Sequence, residues 1–316
     1  MKTAFLYAGQ GSQRVGMGRD LYAASPAFRK AFDAAELDFD LHALCFDGPQ
    51  ETLNQTQYTQ PCMVAFACGV TAALFDAGIR PDYVAGLSLG EYSALEASGV
   101  FAAKAAIELA AYRGAAMASA SKGVSSAMTA VLMLDRESLA RCCEEAGGMV
   151  RICNYNCPGQ IVIGGEADAV ARAGELAKAG YSSACAAKAA GARRLLPLRV
   201  SGPFHTPLMQ PAAKALHERF KTEPFGEMQI PVLFNCLGQE KGSETIPSLL
   251  ERQVVSPVMM EDTLRELARL GVDTFVEIGP GTALSGFVRK TLGASVNCYN
   301  IENVDGLEKT VDALKA

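Results

Sequence analysis

The chain of 316 residues has no tryptophan and only three histidines, and its 29 Lys and Arg are outnumbered by 34 Asp and Glu. A net charge of −5 argues against a general nucleic-acid binder, which carries a basic excess. Ten cysteines fall at 45, 62, 68, 142, 143, 153, 157, 185, 236 and 298, yet they form no CxxC pair and no Cys/His cluster with zinc-ligand spacing. Reduced thiols in a cytoplasmic protein without a metal site are the simpler reading. Long apolar runs are also missing. The longest, Cys62 to Phe75, is 14 residues, short of the roughly 18 that would suggest a membrane span, and predicts a buried core helix. The opening MKTAFLYAG runs straight into the polar GQGSQR with no small-residue cleavage site, so it predicts a first strand rather than a signal peptide.

What is present is ample apolar material. With 49% hydrophobic and 20% charged residues the chain can build a large core, and a prior of about 150 residues per domain suggests two units. The first half alternates β-rich runs with Ala-rich helical stretches, the rhythm of a parallel sheet covered by helices. Thr3–Ala8 and Tyr83–Gly86 predict strands, and Met63–Ala77 an apolar helix. From about Ser126 the order becomes strand (Met128–Leu134), helix (Arg136–Ala146), strand (Val150–Asn154), strand (Gln160–Gly164), helix (Ala167–Ala179) and strand (Leu195–Val200). That βαββαβ order is the ferredoxin-like unit, and Asn156, Pro158 and Gly159 supply turn formers for its middle hairpin. After Ser201 the chain returns to α/β material, with a strand at Thr274–Ile278. The expected fold is α/β. A large α/β-hydrolase-like domain with a parallel sheet spans 1–125 and 200–316, and a small ferredoxin-like domain, 126–199, is inserted in it.

Gly86–Leu87–Ser88–Leu89–Gly90 places G-x-S-x-G between a short apolar strand and the helix-forming EYSALEAS, the context of a nucleophile elbow. The glycines let the chain turn sharply, so the Ser88 Oγ projects while the Leu89 amide points at a developing oxyanion. A serine nucleophile needs a base, and the choice lies among His42, His205 and His217. His217 sits in AAKALHERF on an amphipathic pattern beside Glu218 and Arg219, and His42 in a short polar-flanked segment; both read as structural or solvated. His205 follows the constrained Ser201–Gly202–Pro203–Phe204 just after a strand, where α/β proteins place functional side chains. Arg113 lies in IELAAYRGAAMASA with no carboxylate at helical pairing distance, so its partner comes from elsewhere: a substrate carboxylate gripped by two parallel hydrogen bonds, or a structural ion pair. Gly9–Gln10–Gly11–Ser12–Gln13 follows the first strand, but G-x-G-x-x-G fails at Arg14, which argues against a nicotinamide cofactor. The loop is instead a source for a second oxyanion amide, that of Gln10.

GQGSQ near the start, GLSLGEYSAL, the YRG around Arg113, NYNCPGQ, GPFHTPLM, RQVVSPV and EIGPGTALSG, in this order and over essentially the whole chain, resemble the malonyl-CoA:acyl-carrier-protein transacylase family of fatty-acid synthesis. The resemblance implies Ser88 as nucleophile and His205 as its base, with the main-chain carbonyl of Gln253 orienting the imidazole in place of a triad carboxylate. It implies that Arg113 pairs with the malonyl carboxylate, that the amides of Gln10 and Leu89 form the oxyanion hole, and that Asn154 and Asn156 lie near the mouth of the site. The implied activity moves malonyl from malonyl-CoA to the pantetheine thiol of holo acyl carrier protein through a malonyl-serine. No cofactor is resident, since phosphopantetheine is carried by the partner, and neither nucleic acid, membrane nor a second copy takes part. Leu87 stands where the family usually has His, and Ala8 where it commonly has Pro. Phe204 resembles malonyl-type enzymes. Arg193–Arg194 and Arg289–Lys290 are candidate docking pairs for an acidic carrier. Two rivals use the same residues: a serine hydrolase of small esters or thioesters, and a non-catalytic carrier-protein or CoA-binding module in which Ser88 is a turn residue.

Overall fold

The computed structural model describes residues 1–180, 191–198 and 200–316. Cys185 and Arg199, the latter in the strand expected at Leu195–Val200, lie outside the described residues. The strands among those described are β1 (Thr3–Tyr7), β2 (Tyr83–Gly86), β3 (Ser126–Leu132), β4 (Val150–Cys157), β5 (Gln160–Glu166), β6 (Arg194–Pro197), β7 (Val232–Phe234), β8 (Gln239–Glu240), β9 (Thr274–Ile278) and β10 (Asn297–Ile301).

They form two sheets. The first has the order β10-β9-β1-β2-β7-β8, parallel throughout except for the two-residue edge strand β8. Every residue of β1 and β9 is buried, as central strands covered on both faces require. A parallel sheet gathers its functional loops at the carboxyl ends of its strands. Here those ends deliver Gly9–Gln10 after β1, Leu87–Ser88 after β2 and Asn235 after β7.

The helix expected at Met63–Ala77 runs instead over Thr56–Asp76, continuing through Pro61. Proline lacks one hydrogen bond and normally marks a boundary, so sequence periodicity starts the helix too late. The first turns are held by tertiary packing, with Thr56, Thr59 and Gln60 all buried. At 21 residues this helix is long and apolar enough to cross a membrane, but 83% of its most apolar window is buried inside the protein. It is the core helix, packed against Ala103–Ala120 and Pro26–Phe32.

The second sheet has the order β4-β5-β3-β6 with every neighbouring pair antiparallel. Its helices Arg136–Glu145 and Ala167–Ala179 cover one face, where Val131, Ile161 and Ile163 pack with Leu139, Cys142 and Val170. Strand alternation turns Met128, Ala130 and Val162 the other way, into the main core. A register shift between Ile152 and Asn154 keeps β4 irregular there, and its edge is pinned to the first unit by Tyr155 N–H donating to the Val258 carbonyl at 2.8 Å.

Candidate active site

Ser88 stands between β2 and the helix Gly90–Ala97 with φ 52°, a left-handed conformation rare for a residue with a side chain. The flanking glycines are dictated by space. A Cβ on Gly86 would lie 1.9 Å from the Gly90 carbonyl carbon, and one on Gly90 would lie 2.2 Å from the Tyr7 carbonyl oxygen. The strand thus turns into its helix with no room for side chains, and Ser88 is lifted out at the turn.

His205, 4% exposed and also left-handed at φ 61°, places Nε2 2.7 Å from the Ser88 Oγ. Its Nδ1 lies 2.8 Å from the main-chain carbonyl of Gln253, the last residue of the helix Ile246–Gln253. Carbonyls in the last turn have no intrahelical partner and carry the negative end of the helix dipole, so this oxygen accepts the Nδ1 proton. That tautomer leaves Nε2 as the acceptor for the serine hydroxyl. Burial, reinforced by the nearby Arg113 charge and opposed by the Gln253 carbonyl, depresses the imidazole pKa to about 4. His205 is therefore neutral and able to take a proton at pH 7.

Arg113 is 1% exposed and reaches Ser88, its Nη2 donating to the Ser88 Oγ at 3.2 Å and to the Gln253 Oε1 at 2.9 Å. Its Nη1 donates to the Gln60 Oε1 at 2.9 Å, and its Nε has no partner among the described residues. The guanidinium also lies 5.5 Å from the Tyr92 ring centroid. No carboxylate among the described residues lies within ion-pair distance of it, and the buried Glu91 acts on it only at longer range, so a charge that burial penalises is held by two carboxamides, a hydroxyl and a ring face. Such a cation is complementary to an incoming anion.

A cavity of about 180 Å³ is lined by Ser88, His205, Arg113, Gln10, Gln60 and Leu87 from the first unit, and by Asn154 and Asn156 from β4. A wider depression of about 650 Å³, lined by Arg151, Tyr155, Val255 and Pro257, also reaches His205. Gln10 lines the smaller cavity, and neither its amide N–H nor that of the buried Leu89 donates to a group among the described residues. The six residues singled out from sequence thus meet at one place. His42 pairs with Asp33 at 2.8 Å, and the half-exposed His217 with Glu251 at 3.0 Å, both outside the cavity.

Sequence reasoning passed over Gln60, Glu91 and Asn235. Gln60 lies before Met63, where the apolar pattern starts the core helix, and so falls outside the expected element. Glu91 stood in the motif as a helix former, yet it is fully buried, its carboxyl pushed up by burial to about 7. Asn235 follows a three-residue strand too short to announce itself.

A half-buried hydroxyl on a strand-to-helix turn, bonded to a buried neutral imidazole, is the arrangement of an α/β acyl-transfer enzyme. The acyl transferase domain family matches residues 4–313. The malonyl CoA-acyl carrier protein transacylase of Bacillus subtilis (strain 168) is 39% identical over 320 residues, covering 99% of this chain and 98% of that protein. The crystal structure of malonyl CoA-acyl carrier protein transacylase from Clostridium perfringens superposes with a TM-score of 0.92 at 37% identity, covering 100% of this chain and 98% of that one. A malonyl-transacylase solved in complex with a type II PKS acyl-carrier protein gives a TM-score of 0.92 at 38% identity, covering 99% and 100%. The chain belongs to the malonyl-CoA:acyl-carrier-protein transacylase family.

Proposed function

We propose that this protein is a malonyl-CoA:acyl-carrier-protein S-malonyltransferase of fatty-acid biosynthesis. The observation that carries the substrate choice is Arg113, a buried cation without an anionic partner among the described residues, donating to the nucleophile itself. A malonyl group brings a carboxylate to the place where that charge is unmet.

Ser88 attacks the thioester carbonyl as its proton passes to the His205 Nε2, forming the Oγ–C bond. The amides of Gln10 and Leu89 hold the oxyanion. Collapse breaks the C–S bond, and the His205 proton goes to the CoA sulfur, leaving malonyl-serine. The pantetheine thiol of the carrier then gives its proton to His205 and attacks the ester. Its sulfur takes the malonyl carbon, and the proton returns to Ser88. The protein needs no resident cofactor, because the pantetheine arrives on its substrates. The depression beside His205 offers that arm a path. Every group used comes from one chain, which supports action as a monomer. The nine described cysteines are all free thiols, which fits a cytoplasmic setting.

In this reading 126–199 is an inserted ferredoxin-like domain that closes the cavity over 1–125 and 200–316, its β4 supplying Asn154 and Asn156. It also carries half of a carrier-docking surface. Arg194 pairs with Leu132, which pairs in turn with Gln160, and Lys290 Nζ donates to the Gln160 Oε1 at 3.4 Å. Both basic pairs are exposed and flank this one end of the sheet, beside the 63% exposed Met133. Charge reversal at Arg193–Arg194 and Arg289–Lys290 together is expected to raise KM for holo carrier by about tenfold, and more than KM for malonyl-CoA. A carrier KM insensitive to both reversal and salt would remove the surface.

Intact-protein mass after brief exposure to malonyl-CoA, and then to holo carrier, tests the whole proposal. A malonyl increment on Ser88 that moves to the carrier is the expected result. Loss to water at the same rate without carrier would make the protein a hydrolase, and no adduct with malonyl-CoA or acetyl-CoA would leave only a binding module.

A further inference from the structure

The nucleophile turn is clamped from outside by a residue that touches no reacting atom. Asn235, 3% exposed at the end of β7, accepts the Ser88 N–H on its Oδ1 at 2.6 Å and donates from Nδ2 to the Gly86 carbonyl at 2.7 Å. One carboxamide thus satisfies the main-chain groups on both sides of Leu87. Asn235 is itself fixed through its own main chain. Its N–H donates to the Glu91 Oε2 at 2.5 Å, and its carbonyl accepts from Met259 N–H at 2.8 Å. Glu91 sits in the first turn of the helix that follows Ser88, so the linkage closes on itself: β2, Asn235, Glu91 and back to the elbow.

We propose that Asn235 is a positioning residue for acyl transfer, holding Ser88 in its left-handed conformation, and that Glu91 positions Asn235. A residue with a side chain at φ 52° is strained and persists only where its surroundings over-determine it. The two Asn235 bonds fix the peptide planes on either side of Leu87, and with them the direction of the Oγ toward His205. They also occupy the Ser88 N–H, leaving the Leu89 N–H as the free amide beside the nucleophile. Among the described residues no hydrogen bond joins Arg113 or Gln60 to Asn235, so a change at Asn235 acts first on the turn and only through it on the guanidinium.

The inference rests on serine acylation, and pre-steady-state release of CoA from malonyl-CoA without carrier tests it. Burst amplitude counts working sites and burst rate reports their alignment. Asn235→Ala is expected to keep an amplitude near that of the parent while the burst rate falls about a hundredfold, the effect of a misplaced reacting group. KM for malonyl-CoA should change less than about threefold. A reduced amplitude whose remaining sites react at the parental rate would make Asn235 merely structural and overturn the proposal. If Asn235→Ala does not fold, Glu91 decides. Glu91→Ala should slow the burst and Glu91→Gln, which keeps an acceptor for the Asn235 N–H, should restore most of it, whereas equal rates in the two would overturn the proposal. Absence of a burst in the parent enzyme would instead dismiss serine acylation itself.

Discussion

Ser88→Ala is expected to leave no malonyl adduct and to lower transfer by at least about 10⁴-fold, while the protein stays folded. The fold is insensitive because the turn is held by main-chain groups. The Ser88 N–H goes to Asn235 and its carbonyl accepts from the Gln253 Nε2 at 2.9 Å, and alanine keeps both. Alanine meets the same left-handed strain as serine, since both carry a Cβ. What disappears is the hydroxyl bonded to both His205 and Arg113, together with any ester to be formed on it. Mass spectrometry after malonyl-CoA, paired with thermal unfolding, checks both halves. A normal adduct in a folded variant would refute the nucleophile assignment.

The elbow was legible because its chemistry is local. Strand, two glycines, serine and helix stand within a dozen residues, and the steric reason for each glycine operates within that stretch or against the neighbouring β1. His205 was legible by elimination, since three histidines left few choices, and its turn carries its own signals in Gly202 and Pro203. The Gln253 carbonyl was different. A main-chain acceptor at a helix end leaves no side-chain signature, so composition and spacing are silent about it and only family resemblance pointed there. The βαββαβ order was visible because each of its strands alternates between a helix-covered face and a core face. Strands β7, β8 and β10 were not. β7 has three residues, β8 has two exposed ones, and the NCYNI of β10 lacks an apolar run because it forms an edge. Asn235 was lost with β7, although it is hydrogen-bonded to both sides of the Ser88 turn.

The two departures from the family pattern sit at different depths. Ala8 is nearly buried beneath Gly279, where a Cβ would approach its own Cβ at 2.3 Å, so it is a packing position. Leu87 lines the cavity beside Ser88 and makes its wall less polar than a histidine would. Neither stands among the groups that hydrogen-bond to the Ser88 Oγ.

Arg113→Ala is expected to reverse substrate choice rather than simply reduce rate. In the parent the guanidinium is desolvated, its Nε unsatisfied and its other nitrogens held by Gln60, Gln253 and Ser88. A malonyl carboxylate supplies the missing counter-charge, and losing one partner of such a buried pair costs about 3–5 kcal/mol, a factor of a hundred or more in kcat/KM. Acetyl-CoA brings no carboxylate and leaves the charge unmet, so the parent should discriminate against it. Alanine removes that penalty and opens space where the carboxylate lay. Malonyl transfer should therefore collapse while acetyl transfer holds or rises, and competition between the two thioesters measures the ratio directly. The carboxamides of Gln60 and Gln253 lose their donor in this variant, so Arg113→Lys is the control for their disturbance. Lysine keeps the charge without the planar fork and should recover part of the malonyl preference. An unchanged malonyl-to-acetyl ratio in Arg113→Ala would remove the arginine from substrate recognition and leave it a structural tie between the Ser88 turn and the two glutamines.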